Sequence, residues 1–174
     1  MTEETEVRFS SALPVIVLTR PAGQTEIDWQ EIDRGPGYFS VPASEEVAIK
    51  MKGIDNSVLA QLVEELKPVA ALRYLDLAEN RNVTNEGVAR LRALHQLEAL
   101  NLSSCSITST GLAPLKEIPK LRRLILSYCN KLTDASLKTI ESMRSLEFVD
   151  LKGCLGLSQG GFSKMHRRNL TIHR

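Results

Sequence analysis

Residues 97–115 read LEALNLSSCSITSTGLAPL and residues 121–137 read LRRLILSYCNKLTDASL, and laying one over the other decides the architecture. In both, a leucine is followed three positions on by a second leucine and two positions later by a third. The same spacing recurs along the chain as Leu72/Leu75/Leu77, Leu97/Leu100/Leu102, Leu121/Leu124/Leu126 and Leu146/Val149/Leu151, with a truncated copy at Leu170. Successive copies start 25, 24, 25 and 24 residues apart, so the register holds to within one residue over the C-terminal three-fifths of the chain. A fixed period of this size marks one supersecondary unit stacked on itself, because a single unit cannot bury its apolar face alone.

The rest of each unit is equally regular. Three residues beyond the last aliphatic stand Asn80, Cys105, Cys129 and Cys154, so all three cysteines of the protein share one slot. An aliphatic and a hydroxyl residue follow in Val83-Thr84, Ile107-Thr108, Leu132-Thr133 and Leu157-Ser158, and these hydroxyls are expected to cap helices. Apolar residues three apart then mark a buried helical stripe: Val88/Leu91/Leu94, Leu112/Leu115/Ile118, Leu137/Ile140/Met143 and Phe162/Met165. Each unit is therefore read as strand, turn and helix.

The stretches quoted above resemble the cysteine-containing leucine-rich repeats of F-box and related proteins, a ribonuclease-inhibitor-like arrangement. The resemblance implies an α/β leucine-rich-repeat solenoid, a right-handed β-α superhelix with a parallel concave sheet and convex helices, whose concave face binds other proteins. Residues 72–96, 97–120, 121–145 and 146–169 are the regular units, 170–174 a partial one, and 46–71 a degenerate first unit with a strand at Val47, Ile49 and Met51 and a helix carrying Leu59, Leu62 and Leu66. Residues 1–45, rich in turn formers and holding the lone Trp29, are expected to form an N-terminal capping segment with short strands near Val15 to Thr19 and Tyr38 to Val41. Two departures matter. Pro114 falls inside a helix, which should be short or bent. The first 45 residues are too rich in proline and glycine for the helices of an F-box, so a ubiquitin-ligase role does not carry over.

Composition bounds the partners. With 22 Lys and Arg against 21 Asp and Glu, the net charge of +1 offers no global field for nucleic acid or an anionic membrane. Glu3, Glu4 and Glu6 at the start and Lys164, His166, Arg167, Arg168, His173 and Arg174 at the finish read as solvated, with Lys164 to Arg168 as the end of the last helix. The early apolar run Leu13 to Leu18 is too short for a signal core or a membrane span, and three cysteines are too few for a disulfide scaffold; a cytoplasmic, reducing setting is expected.

Catalysis is not expected. A linear row of thiols aimed inward lacks the tetrahedral arrangement of a zinc site, so Asn80, Cys105, Cys129 and Cys154 are read as a structural ladder serving backbone carbonyls. His95, His166 and His173 are dispersed, and Asp76 and Asp150 lie three units apart. The Gly35-Pro36-Gly37 turn lacks the Lys and hydroxyl residue of a phosphate-binding loop. No cofactor and no metal are assigned.

What remains is a surface. Residues between the leucines point away from the core in three columns: Tyr74, Ala99, Arg123, Phe148; Asp76, Asn101, Ile125, Asp150; Ala78, Ser103, Ser127, Lys152. Tyr74, Asp76, Asn101, Arg123, Ile125, Tyr128, Phe148, Asp150 and Lys152 are the partner-binding candidates, because aromatic and arginine side chains carry most interface energy. A flanking column, Arg73, Glu98, Arg122 and Glu147, alternates in sign and is read as fixing strand register. The expected function is a non-catalytic protein-protein interaction module; the alternative is a regulatory subunit of a larger enzyme assembly acting through the N-terminal segment. A monomer is expected, with the final Leu170-Thr-Ile strand an edge open to pairing.

Overall fold

The computed structural model describes residues 6–174, so Glu3 and Glu4 lie outside the described residues. Four strands precede the repeats: β1 (Glu6–Ser11), β2 (Ile16–Pro21), β3 (Gln30–Arg34) and β4 (Gly37–Pro42). Then come β5 (Glu45–Lys50), β6 (Leu72–Asp76), β7 (Ala99–Asn101), β8 (Arg123–Ile125), β9 (Phe148–Asp150) and β10 (Thr171–His173). One sheet of eight strands runs β10-β9-β8-β7-β6-β5-β2-β3, parallel from β5 to β10 and antiparallel where β2 and β3 are added. β1 and β4 form a separate antiparallel ribbon, stacked through Phe9 and Phe39 at 5.1 Å between ring centroids.

Two strands, β2 and β4, lie where the sequence places them; β1 and β3 carry no comparable apolar signal, and β3 is exposed along its whole length. β5 also differs from the half-buried strand that its alternation suggests. Val47, Ala48 and Ile49 are all buried: β2 and β6 pair both edges of the strand, and the face carrying Glu46 and Ala48 is covered as well as the one carrying Val47 and Ile49. Glu46, on the same strand, is buried with Arg20 at 2.9 Å and accepts the Gly23 amide as well. Such a pair is tolerated away from water only when its hydrogen bonds are complete.

Stacking of equivalent residues is direct. Leu75, Leu100, Leu124, Val149 and Ile172 are register partners across β6 to β10, and the first four are fully buried. Each such leucine contributes roughly 1.5–3 kcal/mol by leaving water, and the helical stripes lie in the same continuous core.

The helical segments are shorter than the sequence suggests. α1 (Asn56–Leu66) is a true α-helix, capped by Asp55, whose carboxylate accepts the amides of Ser57 and Val58. α2 (Asn85–Val88) passes into a 3-10 segment at Ala89–Ala93, and Ser109–Glu117, with Pro114 inside it, is 3-10 throughout. Apolar residues exactly one 3-10 turn apart suit that geometry, since positions i and i+3 eclipse. α3 (Asp134–Ser142) and α4 (Gln159–Phe162) complete the set.

The hydroxyl caps need correcting. Thr84, Thr108 and Thr133 do occupy N-cap positions, but their side chains accept no bond from their own helices; only Ser158 does, from Gly161. The polar side chain one residue further on reaches across to the next unit instead. Asn56 accepts the Thr84 amide, Asn85 that of Thr108, Ser109 that of Thr133, and Asp134 that of Ser158. Glycine makes room for the longer of these: a Cβ on Gly87 would lie 2.5 Å from Asn56, on Gly111 2.1 Å from Asn85, and on Gly161 2.4 Å from Asp134. Where the bridging residue is the short Ser109, the equivalent position holds Ser136 rather than glycine.

The basic finish is also corrected. α4 ends at Phe162, and Arg167 lies beyond it with its guanidinium donating to the carbonyls of Met143, Arg144 and Leu146. Gln96 does the same for Leu66 and Val69 at the other end of the stack. Arg167 thus satisfies carbonyls of the preceding unit and is not a free cation at a helix end.

Candidate functional site

The turn that leaves each strand is built by a repeating set of backbone and side-chain contacts. Gly53, Glu79, Ser104, Tyr128 and Gly153 occupy one equivalent position and are all left-handed, with φ of 73°, 67°, 58°, 61° and 71°. The next residue turns inward. The thiols of Cys105, Cys129 and Cys154 donate to the carbonyls of Leu77, Leu102 and Leu126, at 3.3, 3.2 and 3.1 Å, each in the preceding unit. Asn80 donates to both Met51 and Leu77 and accepts the Ile54 amide, making three bonds where a thiol makes one.

Burial pushes the Cys129 thiol up to about 12 and the Cys105 thiol up to about 11, and it raises Cys154 as well. Thiolate is the nucleophilic and ligating form, so these groups are poorly disposed to either chemistry. Among the described residues no group of three or more His, Cys, Asp and Glu side chains is placed to hold a metal ion.

The leucine side of the sheet is packed against the helical segments. On the other side register places Tyr74, Ala99, Arg123 and Phe148 side by side on adjacent strands, with Asp76, Asn101, Ile125 and Asp150 beside them, whereas Ala78, Ser103, Ser127 and Lys152 lie past the strand ends, in the turns. Their states differ. Asp76 accepts the Ala78 amide at 3.0 Å, Asn101 the Ser103 amide at 3.0 Å and Asp150 the Lys152 amide at 2.9 Å, so these three side chains start the turns. Asp76 also lies 3.7 Å from Lys50. Desolvation pushes the Asp150 carboxyl up, but the Lys152 amide, the His173 ring and the Ser127 hydroxyl outweigh it and hold the group below its ordinary value. Ile125 replaces the turn-forming side chain in its unit and is left half-buried.

Tyr74 is not an open anchor. Trp29 reaches over from the N-terminal segment, its ring 6.1 Å from that of Tyr74 and 4.3 Å from the Arg20 guanidinium. Burial pushes the Tyr74 phenol up to about 12, with Asp76 adding to the shift and Asn101 and Arg123 opposing it. Trp29 carries no sequence signal for this role, because its segment has no period and the contact spans 45 residues.

The side chains left free lie toward the C-terminal units. Arg123 is exposed and stacks on Phe148 at 4.3 Å from the ring centroid, Ile125 sits beside them, and Tyr128 and Lys152 are exposed at the rim. The flanking charges pair as Arg73 with Glu98 at 3.3 Å and Arg122 with Glu147 at 3.8 Å, two couples rather than one ladder.

A leucine-rich-repeat family model matches residues 71–91, 93–116 and 117–140. These units are leucine-rich repeats. The chain is also similar to one in the crystal structure of the Rad7 and Elc1 complex in yeast, at a TM-score of 0.59 and 17% identity, over 71% of this chain and 31% of that one. At that identity the likeness shows the fold alone, an α/β repeat with a parallel sheet, and this chain spans about a third of the length of the other. No match was found among curated protein sequences. No helix among the described residues is long and apolar enough to cross a membrane.

Proposed function

We propose that this leucine-rich-repeat chain is a non-catalytic interaction module, whose stacked units form a right-handed arc and bind a protein partner on the sheet face away from the helices. The observation that carries the reading is the uneven state of that face. Tyr74 at its N-terminal end is covered by Trp29, and Asp76, Asn101 and Asp150 are committed to turns, whereas Arg123, Ile125 and Phe148 form a contiguous patch that serves neither purpose. An arginine stacked on an aromatic ring beside an aliphatic residue has the composition of an interface hot spot. The proposed face is therefore smaller than the full set of columns and is centred on β8 and β9. The neighbour's presence in a two-protein complex agrees with this reading. Free, buried thiols in a repeating structural slot support a reducing, cytoplasmic setting.

The test is partner capture from native cells with wild type and with an Arg123→Ala, Ile125→Ala, Phe148→Ala variant, after checking that both melt alike. Loss of the captured protein is expected in the variant; equal capture would remove the face from consideration.

A further inference from the structure

The loop rim next to that face carries a second feature. Arg81, Ser104, Cys105, Ser106, Tyr128, Asn130 and Lys131, drawn from three consecutive turns, line a cleft of about 480 Å³. It holds two cations, two serine hydroxyls, a phenol and an amide, and no carboxylate. Other clefts with several cations are neutralised internally: Lys138 and Lys164 share theirs with Asp134 and Glu141, and Lys120, Arg122 and Arg144 share theirs with Glu98 and Glu147. Glu79 stands on the same rim, hydrogen-bonded to Lys52 at 2.6 Å with Arg81 adding a weaker charge attraction, and among the described residues Arg81 and Lys131 enter no ion pair. Further along the rim Lys152 adds another positive charge.

Tyr128 gives a second, independent indication. Glycine occupies the equivalent left-handed position in two of the five turns, yet here a bulky aromatic residue is held at φ 61°, a conformation that side chains with a Cβ disfavour. Tyr128 is 53% exposed, and its ring packs against the Gly153 turn, where an added Cβ would come within 2.5 Å of it. One side of the ring is seated on that turn, and the exposed remainder stands beside the two unpaired cations.

We infer that this cleft binds an acidic segment of the protein partner, with Arg81 and Lys131 pairing with its carboxylates and the Tyr128 ring receiving an adjacent apolar side chain. The inference rests on the partner-binding reading and adds the chemistry of what is bound. Carboxylates fit because the cleft lining offers donors and no carboxylate of its own, and an extended segment fits because its donors come from successive turns stacked about 4.8 Å apart.

The probe is a short fluorescein-labelled peptide of Glu and Gly with one Phe, together with its Gln counterpart, titrated with the full chain by fluorescence anisotropy. The Glu peptide should bind, the Gln peptide should not, and added salt should weaken the complex. Arg81→Gln with Lys131→Gln should weaken binding about tenfold, while Lys120→Gln with Arg144→Gln, removing the same charge elsewhere, should leave it unchanged. No binding of the Glu peptide, or equal weakening by both pairs of substitutions, overturns the inference. The outcomes separate it from the proposed face. If the peptide fails while the Arg123, Ile125 and Phe148 substitutions abolish partner capture, the acidic-segment site alone falls. If the peptide binds as expected while capture survives those substitutions, the cleft stands and the sheet face falls.

Discussion

Leu124 in β8 and Val17 in β2 belong to one sheet and are both fully buried, yet the chain reaches the two burials by different routes. Leu124 sits between Leu100 and Val149 because a period of 24 or 25 residues delivers the same side chain to the same height three times over. Val17 is opposite Ile49 through a single antiparallel pairing that closes the first repeat, supported by a buried ion pair between Arg20 and Glu46 and by the Trp29 ring. Repetition distributes stability over many equivalent contacts, while the N-terminal segment concentrates it in a few unlike ones. The difference teaches that β2 and β3 continue the sheet past the first repeat without repeating it, while β1 and β4 pair only with each other.

Removing the N-terminal segment should produce the largest effect. Deletion of residues 1–42 takes away both β2 and β3, strips one side of β5 and leaves Glu46 without Arg20. The remaining chain is expected to lose its cooperative thermal transition and to aggregate on size-exclusion chromatography, because an open apolar strand edge is a template for association. A shortened chain that stays monomeric and melts at the wild-type temperature would make the segment an appendage and break the comparison.

Point substitutions sharpen it. Arg20→Ala strands a buried carboxylate and is expected to cost about 3–5 kcal/mol in urea unfolding, with a shift in the emission of Trp29, the lone tryptophan, reporting the local change. Replacing Arg20 and Glu46 together by methionine should recover much of the loss. Leu124→Ala should cost about 2–5 kcal/mol with no change in tryptophan emission before global unfolding, since its contacts are to neighbouring repeats. A smaller effect tests the polar bridge between units. Gly111→Ser places a side chain against Asn85 and should cost about 1–3 kcal/mol by overpacking, and adding Asn85→Ser should restore most of it by copying the Ser109 and Ser136 arrangement.

These contrasts also explain what could be read from the sequence. The parallel strands, the leucine columns and the positions of Asn80, Cys105, Cys129 and Cys154 are legible because stacking turns one-dimensional spacing directly into neighbourhood. The inter-unit bridges were missed because a hydroxyl in front of a helix suggests a local cap, and nothing in a single unit shows that Asn85 or Asp134 reaches sideways; the recurrence of glycine at Gly87, Gly111 and Gly161 was the available signal. Asp76, Asn101 and Asp150 were assigned to the surface by alternation alone, although Asp and Asn before a turn are favoured as amide acceptors there. The cover over Tyr74 had no periodic trace, because Trp29 belongs to the part of the chain that does not repeat.

The mildest test separates the two modes of burial by pH. Cys129 and Cys105 titrate near 12 and near 11 in the folded chain against an ordinary value of 9.0, because burial penalises the thiolate. A raised folded value means that the contribution to stability is complete below about pH 9 and is lost as pH rises through the folded values, since the unfolded chain ionises first. Unfolding free energy measured in urea between pH 8 and pH 11 should therefore fall more steeply for wild type than for a Cys105→Ala, Cys129→Ala variant, although the variant starts lower by roughly 1 kcal/mol per lost thiol hydrogen bond. In the same range the native thiols should react with iodoacetamide far more slowly than those of the urea-unfolded chain. Equal slopes with fast native labelling would mean that the turns open readily, and the repeats would then owe less to their buried thiols than the geometry implies.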